Sequence, residues 1–279
     1  MAALGSLLNV RHRGGRWFVR IDDLDTPRNA AGAVDSILRD LDRFGMHWDG
    51  EVIHQSRRPD AYAEALEQLA EGGWTFACGC SRRDLVGGVY PGTCREGLPP
   101  GRTARSVRLR AEAATVEFVD AIQGRVTQNL EKEVGDFVVL RADRVVAYHL
   151  AVVVDDAELR VSEVVRGADL LESTPRQILV QRALGLPTPE YAHLPVAVDS
   201  GRHKLSKQNL ARPIAPENPG AVLVDALAFL GQGPPRDLAR APAAEVIAWG
   251  VECWDRSRVP RRRTAAAPCR HLSPGAGEK

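Results

Sequence analysis

The stretch that decides the fold is residues 203–208, His203-Lys204-Leu205-Ser206-Lys207-Gln208. It follows the apolar run 194–198 and a turn-forming Asp199-Ser200-Gly201 segment, a pattern typical of a buried strand that ends in a loop. Two ammonium groups flanking a small hydroxyl suit the binding of a polyphosphate from which pyrophosphate departs. The tetrapeptide alone would also fit a solvated basic loop, so its sequence context has to decide between the two.

Three further segments precede this loop in a fixed order. They are RIDDLDTPR at 20–28, AYHLAVVVDD at 147–156 and VRGADL at 165–170. Together with KLSK at 204–207 they resemble the class I glutamyl-tRNA synthetase family. The counterparts there are the RIEDxDxxR segment, two amino-acid-pocket segments and the KMSKS signature. Four ordered matches over about two thirds of the chain are far more specific than any single motif.

The resemblance implies an α/β fold: a Rossmann-like class I synthetase catalytic domain with a zinc-containing insertion and a short C-terminal helical region. Alternating apolar strands and amphipathic helices also favour an α/β core with a parallel sheet. We expect the first part of the core at 1–75 and the zinc-binding insertion at 76–126. The second part of the core, with the lysine loop, is expected at 127–208. A helical region at 209–255 and a disordered tail at 256–279 are expected to follow.

Hydrophobic periodicity and helix-end signals predict the individual elements. Expected strands are 17–21, 136–140, 161–165 and 194–198. Expected helices are one capped by Asn29 and ended by Gly45, one from Pro59 to Gly72, and others at 173–184, 220–230 and 243–253.

The composition is that of an ordinary globular protein. Of the 279 residues 44% are hydrophobic and 26% charged, and no apolar run approaches the roughly 20 residues of a membrane span. The first residues lack the features of a signal peptide, which predicts a cytoplasmic location and no membrane contact.

A net charge of +1 provides no global attraction for nucleic acid, so RNA contacts would have to come from local arginine clusters. The first cluster is Arg102, Arg105, Arg108 and Arg110, which could equally form a solvated strand face. The second cluster is Arg256, Arg258 and Arg261 to Arg263, which lies in the predicted disordered tail.

Three of the five cysteines, Cys78, Cys80 and Cys94, fall within seventeen residues. In a cytoplasmic protein this clustering favours tetrahedral Zn²⁺ coordination over disulfides, with a fourth ligand still to be found. Spacing alone leaves Tyr90, Asp84 or a water as that ligand, and three reduced thiols in a small core as the alternative to any metal.

The same segment resembles the glutamyl-queuosine branch of the family, which has a tyrosine as the fourth ligand. The resemblance therefore implies zinc held by Cys78, Cys80, Tyr90 and Cys94. A thiolate-rich, closed site implies a structural rather than a catalytic role. Cys253 and Cys269 are expected to be unligated.

The chemistry implied by the resemblance is attack of a glutamate α-carboxylate on the α-phosphate of ATP, which forms glutamyl-adenylate and releases pyrophosphate. Arg166 would bind the glutamate side chain through its guanidinium fork, Tyr148 would add a hydroxyl, and Asp22 would hold the substrate ammonium. Lys207 and Lys204 would be catalytic. The ATP-binding loop would be Lys204, Leu205, Ser206, Lys207 and Gln208, with Mg²⁺ accompanying ATP.

Structural roles compete with these assignments. Arg166 could pair with Asp169 or Glu163 at a strand end. The acidic residues of 22–25 could cap the following helix or pair with Arg28. The family usually has Glu where this chain has Asp22, so a water or a small backbone shift would have to bridge the missing methylene.

About a quarter of the chain follows Gln208, too little for a large anticodon-binding region. The chain thus resembles the short glutamyl-queuosine branch, which activates glutamate without tRNA and transfers it to queuosine in the anticodon of tRNA(Asp). That implies ATP, L-glutamate and queuosine-containing tRNA(Asp) as partners of a monomer. The alternatives are an inactive paralogue serving as an RNA-binding scaffold, or a fragment of an ordinary glutamyl-tRNA synthetase.

The family begins with a strand, an RFAPSPSG-type turn and a HIGH-like signature, all ahead of the residues that match 2–6 of this chain. That segment contacts the nucleotide and supplies a second arginine for glutamate. We expect a longer reading frame upstream of Met1, with a truncated paralogue as the alternative.

Overall fold

The computed structural model describes residues 1–25, 32–199, 201–205 and 218–267. Its α-helices are α1 Ala2–His12, α2 Ala33–Arg43, α3 Pro59–Glu71, α4 Leu130–Glu133, α5 Tyr148–Glu158, α6 Thr174–Ala183, α7 Pro219–Phe229 and α8 Ala243–Cys253. Its strands are β1 Arg20–Ile21, β2 Ile53–His54, β3 Thr75–Cys78, β4 Ser106–Leu109, β5 Thr115–Asp120, β6 Gly124–Asn129, β7 Phe137–Leu140, β8 Glu163–Gly167, β9 Glu190–Leu194, β10 Val196–Val198 and β11 Thr264–Ala266.

Three strand pairs are parallel, as the alternation of strands and helices predicts. They are β1 with β2, β8 with β9, and β10 with β11. The α/β class is confirmed. In the register of β8 and β9, Arg166 lies opposite His193. Because parallel strands present their carboxyl ends at one edge, these two residues lie near the edge where α/β proteins usually place their sites.

Helix α1 fits closely into the main core. Its residues Leu4, Leu7 and Leu8 are almost fully buried, as the i, i+3, i+4 spacing requires. A Cβ on Gly5 would lie 2.5 Å from Leu194 Cδ1, so a larger residue would require the Leu194 side chain to move. Helix α1 therefore packs closely on the parallel strands β8 and β9.

The cysteine segment joins an antiparallel sheet. β4 pairs with β3 on one side and with β7 on the other, and β5 and β6 form a separate hairpin. The sheet thus links residues of the predicted insertion to the strand at which the core was expected to resume. The proposed division at 126 and 127 stays a prediction.

The prediction of a disordered tail is wrong for residues 256–267. A short 3-10 helix spans Arg256–Arg258, and β11 pairs with β10 in parallel. Val259 is 2% exposed, and Arg256 bonds to Glu163 and Glu190, each at 2.6 Å. The Arg- and Pro-rich composition hid one apolar anchor and two partner carboxylates that are distant in sequence.

Most predicted helix ends are close to the observed ones. α3 begins at Pro59, α6 has Pro175 in its first turn, and α8 spans the predicted residues. The strand expected at 194–198 is divided at Pro195, where β9 ends and β10 begins. α2 begins after Gly32, and Asn29 lies outside the described residues. None of the helices in the described ranges is long and apolar enough to cross a bilayer.

Candidate active site and cysteine cluster

Arg166 projects from the carboxyl end of β8 and is held by three neutral acceptors. Its Nε donates to His193 Nε2 at 3.1 Å, and its Nη2 donates to Thr174 Oγ1 at 2.9 Å and Gln177 Oε1 at 2.6 Å. The guanidinium also lies 5.5 Å from the centre of the Tyr191 ring. The alternative pairing with Asp169 or Glu163 is wrong, because those carboxylates bind other cations.

Arg20 connects two of the segments that the sequence analysis singled out. Its Nε donates to Asp22 Oδ1 at 2.7 Å, and its Nη1 donates to Asp156 Oδ1 at 2.5 Å. Burial by itself would lower the pKa of Arg20, but Asp156 and Asp22 raise it well above the ordinary value, so the group stays charged. The Asp22 carboxylate is thereby fixed at the end of β1, and its side chain is 43% exposed.

The acidic residues after β1 have partners in the part of the chain that the structure describes. Asp23 accepts from the Ser56 N–H at 2.8 Å and the Ser56 hydroxyl at 2.7 Å, and Asp25 accepts from Arg141 at 3.0 Å. Asp22 pairs with Arg20. Arg28 lies outside the described residues.

Tyr148 is the first residue of α5 and is 36% exposed. Its ring centre lies 5.4 Å from that of His149. Tyr148 thus lies at the start of α5, in the same helix as Asp156, which pairs with Arg20.

Asp155, one residue before Asp156, anchors α5 from within. The carboxylate is 1% exposed and accepts from Gln55 at 2.7 Å, Arg58 at 2.7 Å and the Tyr62 hydroxyl at 3.0 Å. These partners come from α3 and the turn before it. The network satisfies a buried charge and fixes α5, which carries Tyr148.

The start of the lysine loop returns to the same edge. The backbone of Lys204 pairs with that of Val198 in an isolated antiparallel β-bridge. The Lys204 Nζ lies 2.6 Å from Asp169 Oδ2. The Leu205 N–H donates to the Ala197 carbonyl at 3.0 Å. The other predicted ATP-binding residues, Ser206, Lys207 and Gln208, lie outside the described residues.

The three clustered cysteines are buried, and their sulfurs all lie within 4.8 Å of one another. Cys80 Sγ is 3.6 Å from Cys94 Sγ, and Tyr90 Oη is 3.5 Å from Cys78 Sγ. Tyr90 Oη also accepts from the Cys94 N–H at 2.8 Å. Four atoms that can bind a metal thus converge in one small volume, and three of them are thiols.

The two side chains considered for the fourth position differ in this geometry. Asp84 caps a 3-10 turn by accepting from the Ser81 N–H at 2.8 Å, and it pairs with Arg102 at 2.8 Å. Tyr90 instead directs its hydroxyl at the thiols. Cys253 is exposed, away from this cluster, and Cys269 lies outside the described residues.

The environment prepares one thiol for ionisation. Burial would raise the pKa of Cys78, but hydrogen bonds from Tyr90, the Cys80 N–H and Arg108 lower it to about 7. Burial and the nearby Cys94 and Cys78 raise the pKa of Cys80. Without a cation, close thiolates repel each other, so a bound metal would displace protons from this cluster.

Arg108, in the first arginine cluster, does not lie on a solvated strand face, whereas Arg102 and Arg105 are exposed. Arg108 is 7% exposed, stacks over Tyr90 at 4.0 Å and donates to Cys78 Sγ at 3.2 Å. Arg102 donates to Cys80 Sγ at 3.2 Å, and Arg110 lies over Phe76. Alternation along a strand could not reveal that the side facing these arginines holds sulfur and aromatic rings.

Several residues of the site received no role in the sequence analysis. Arg20 and Asp156 lie within the quoted motifs, so membership of those motifs could have indicated that they belong to the site. His193 and Asp120 had no such signal, because their pairing joins β9 to the end of β5 across 73 positions.

Comparison with known proteins identifies the family. Residues 1–87 and 98–218 match the class I tRNA synthetases (E and Q), catalytic domain. The chain is 53% identical to the glutamyl-Q tRNA(Asp) synthetase of Dechloromonas aromatica, over 96% of this chain and 92% of that protein. The chain belongs to the glutamyl-Q tRNA(Asp) synthetases of this family. A second glutamyl-Q tRNA(Asp) synthetase, from Pseudomonas aeruginosa, is 49% identical over 95% of this chain and 90% of its own length.

Solved structures support the fold of this glutamyl-Q synthetase chain. Glutamate-tRNA synthetase from Elizabethkingia anophelis superposes with a TM-score of 0.77 at 23% identity, covering 99% of this chain and 64% of that one. A glutamate tRNA ligase from Elizabethkingia meningosepticum, solved in complex with its amino acid, gives the same TM-score at 22% identity. At this identity the likeness establishes the fold.

Proposed function

We propose that this protein activates glutamate with ATP, without tRNA, and transfers it to queuosine in the anticodon of tRNA(Asp). The observation that carries the proposal is the 53% identity to a glutamyl-Q tRNA(Asp) synthetase over 92% of that protein's length. The ion pair between Arg20 of β1 and Asp156 of α5 supports it, because these two elements bear motifs assigned to the amino-acid pocket.

Arg166 is proposed to bind the glutamate side chain. Among the described residues no acceptor lies against its Nη1, so that edge can receive a carboxylate. Tyr148, whose side chain is partly exposed, would add its hydroxyl to the same pocket. Asp22 would hold the substrate ammonium, because its carboxylate is oriented by Arg20 and remains partly open to solvent.

The lysine loop is proposed to bind ATP. Lys204, held near the end of β8 by Asp169, would exchange this partner for phosphate oxygens. Lys207 would stabilise the developing charge of pyrophosphate, while Leu205, Ser206 and Gln208 complete the loop. Mg²⁺ would accompany the triphosphate and neutralise part of its charge.

The cysteine cluster suggests a metal, and its donor atoms fit zinc. Cys78, Cys80, Cys94 and Tyr90 would hold the ion, since thiolate-rich sets of four donors suit Zn²⁺. Arg102 and Arg108 lie against two of the sulfurs and would offset the excess negative charge of such a site. When bound, zinc would supply a structural cross-link between β3 and the loop that carries Cys94.

The decisive experiment has two stages. The full-length protein is first assayed for ATP/pyrophosphate exchange with glutamate, glutamine or aspartate in the absence of tRNA. It is then given radiolabelled glutamate and either queuosine-containing tRNA(Asp), the same tRNA lacking queuosine, or tRNA(Glu). We expect exchange with glutamate and labelling of the queuosine-containing tRNA alone.

Each of the other outcomes would indicate a different function for this protein. Acceptor-end charging of tRNA(Glu) would show an ordinary glutamyl-tRNA synthetase activity. Binding of tRNA without exchange by any amino acid would show a non-catalytic RNA-binding protein. Either result would overturn the proposed function.

A further inference from the structure

We propose that Asp120 and His193 are positioning residues for Arg166, and that they act by holding His193 in the tautomer protonated at Nδ1. The three side chains form a continuous chain of hydrogen bonds from the end of β5 through β9 to β8. The consequence for glutamate binding rests on the proposed function. The tautomer itself is a property of the folded protein and can be tested without any substrate.

The first step is the buried carboxylate of Asp120. Its Oδ1 accepts three backbone N–H groups, from Ile122 at 3.0 Å, Gln123 at 2.7 Å and His193 at 3.1 Å. Its Oδ2 lies 2.6 Å from His193 Nδ1, and both side chains are fully buried. Burial would raise the pKa of Asp120, but these bonds outweigh it and lower the pKa. An ionised carboxylate only accepts, so the proton between the two groups lies on Nδ1.

The second step is the other ring nitrogen. Arg166 Nε always carries a proton and lies 3.1 Å from His193 Nε2, and the Thr174 hydroxyl, which can donate to the same nitrogen, lies 3.2 Å from it. Nε2 must therefore offer its lone pair, which is possible only in a neutral ring protonated at Nδ1. Burial and the nearby Arg166 charge lower the pKa of His193 although Asp120 opposes them, in agreement with a neutral imidazole.

The third step is what the arrangement does to Arg166. Its Nε and Nη2 hydrogens are bound by His193, Thr174 and Gln177, which are all uncharged acceptors. A carboxylate in their place would fix the guanidinium equally well but would neutralise it. The charge of Asp120 is one residue removed, so it orients the imidazole without pairing with Arg166. The guanidinium is thus oriented while its Nη1 edge and its charge stay available to a ligand carboxylate.

The substitution Asp120→Asn tests the chain of bonds through hydrogen-bond polarity. The amide oxygen has to replace Oδ1, because three N–H groups point at it. The amide NH₂ then faces His193 Nδ1 and requires that nitrogen to accept. The ring proton would move to Nε2 and oppose the Arg166 Nε–H.

The first measurement uses long-range ¹H–¹⁵N spectra of histidine-labelled protein without substrates, with His193 assigned by its loss in His193→Gln. We expect the Nδ1–H tautomer in the wild type and the Nε2–H tautomer in Asp120→Asn. The Asp60→Asn variant changes an exposed carboxylate in the same chemical way and should leave the His193 signal unchanged. A wild-type ring protonated at Nε2, or on both nitrogens, overturns the proposal.

The second measurement is glutamate-dependent ATP/pyrophosphate exchange. Asp120→Asn should raise KM for glutamate about 10- to 100-fold, the loss expected for one hydrogen bond to a charged group, and change KM for ATP by less than about threefold. The His193→Gln variant can place an amide oxygen where Nε2 lies in the wild type, so it should keep a KM for glutamate near the wild-type value. The His193→Leu variant has no such acceptor and should show a raised KM. Thermal unfolding of each variant identifies any that fails to fold, and the wild-type tautomer then still decides.

The two proposals fail differently. A wild-type protein with the expected tautomer but no glutamate exchange would contradict the proposed function alone. Normal glutamate KM in Asp120→Asn, despite a reversed tautomer, would contradict the positioning role alone. Equal KM values for His193→Leu and His193→Gln would also contradict it.

Discussion

Lys204 Nζ lies 2.6 Å from Asp169 Oδ2, and Asp169 follows Arg166 by three residues. The contact brings the beginning of the lysine loop to the end of the strand that carries the proposed glutamate-binding arginine. The two side chains of the ion pair are 53% and 37% exposed, so the pair contributes little to stability. Its effect is on position: it holds an ammonium group at the edge of β8.

The substitution Lys204→Met should therefore separate catalysis from stability. We expect the rate of glutamate-dependent pyrophosphate exchange to fall about 10- to 100-fold, because a cation for the phosphates is lost. The melting temperature should change by less than about 3 °C, since an exposed pair is worth under about 1 kcal/mol. Lys132→Met, on α4, is the matched control. An unchanged exchange rate would remove Lys204 from the ATP site.

Arg166→Lys keeps the positive charge but loses the planar group that binds His193, Thr174 and Gln177 together. An ammonium cannot satisfy these acceptors and a carboxylate with the same geometry. We expect KM for glutamate to rise about 100-fold or more while KM for ATP changes little, as measured by pyrophosphate exchange at varied substrate concentrations. Arg182→Lys, at an exposed position on the neighbouring α6, is the control. Comparable glutamate KM values for Arg166→Lys and the wild type would assign side-chain binding to another residue.

Local sequence patterns predicted several helices and the cysteine cluster, whereas the residues assigned to glutamate and ATP came from the resemblance to the synthetase family and stay predictions. The spacing of apolar residues and the prolines at helix starts located α3, α6 and α8, because helix ends depend on nearby residues. The thiols Cys78, Cys80 and Cys94 were identified by spacing alone, since metal-binding side chains usually come from short segments. Both kinds of inference use information within a few turns of chain.

Contacts between distant segments could not be predicted in this way. His193 appears in the sequence as one residue of an apolar run, and its role depends on Asp120, 73 positions earlier. Arg108 appeared exposed because its neighbours alternate, yet Tyr90 and Cys78 bury it. The arginine-rich composition around Arg256 predicted disorder. In the structure Arg256 pairs with Glu163 and Glu190, which are distant in sequence. In each case the missing information was the chemistry of the facing element.

Removal of one cysteine tests the metal proposal directly. Cys94 is fully buried beside Cys80, so Cys94→Ser removes a thiolate without opening the surface. Zinc measured by plasma mass spectrometry should fall from about one ion per chain to near zero, and the melting temperature should fall by several degrees because metal binding stabilises the fold. Cys253→Ser changes an exposed thiol and should alter neither value. Equal zinc content in both variants would show that the cluster does not hold the metal.

The stability of the protein is expected to fall at acidic pH because of His149. His149 Nδ1 is buried without a hydrogen-bond partner among the described residues, and the ring packs edge-on against Phe137, with 6.0 Å between ring centres. Burial, followed by the charges of Arg176 and Arg166, lowers its pKa from 6.5 to about 3. Between these two values the unfolded chain binds a proton that the native protein does not. The free energy of unfolding must therefore fall as the pH falls through this window. From pH 7 to pH 5 the contribution is about 2 kcal/mol, since one pKa unit corresponds to about 1.4 kcal/mol.

Urea unfolding of the wild type and His149→Gln at pH 7, 6 and 5 measures this contribution. The wild type should lose about 2 kcal/mol more than the variant between pH 7 and pH 5, whatever the variant's stability at pH 7, because glutamine cannot bind the proton. His47→Gln replaces a histidine whose side chain is 70% exposed and should keep the wild-type slope. If all three proteins lose the same stability, the unpartnered Nδ1 is not the group that titrates.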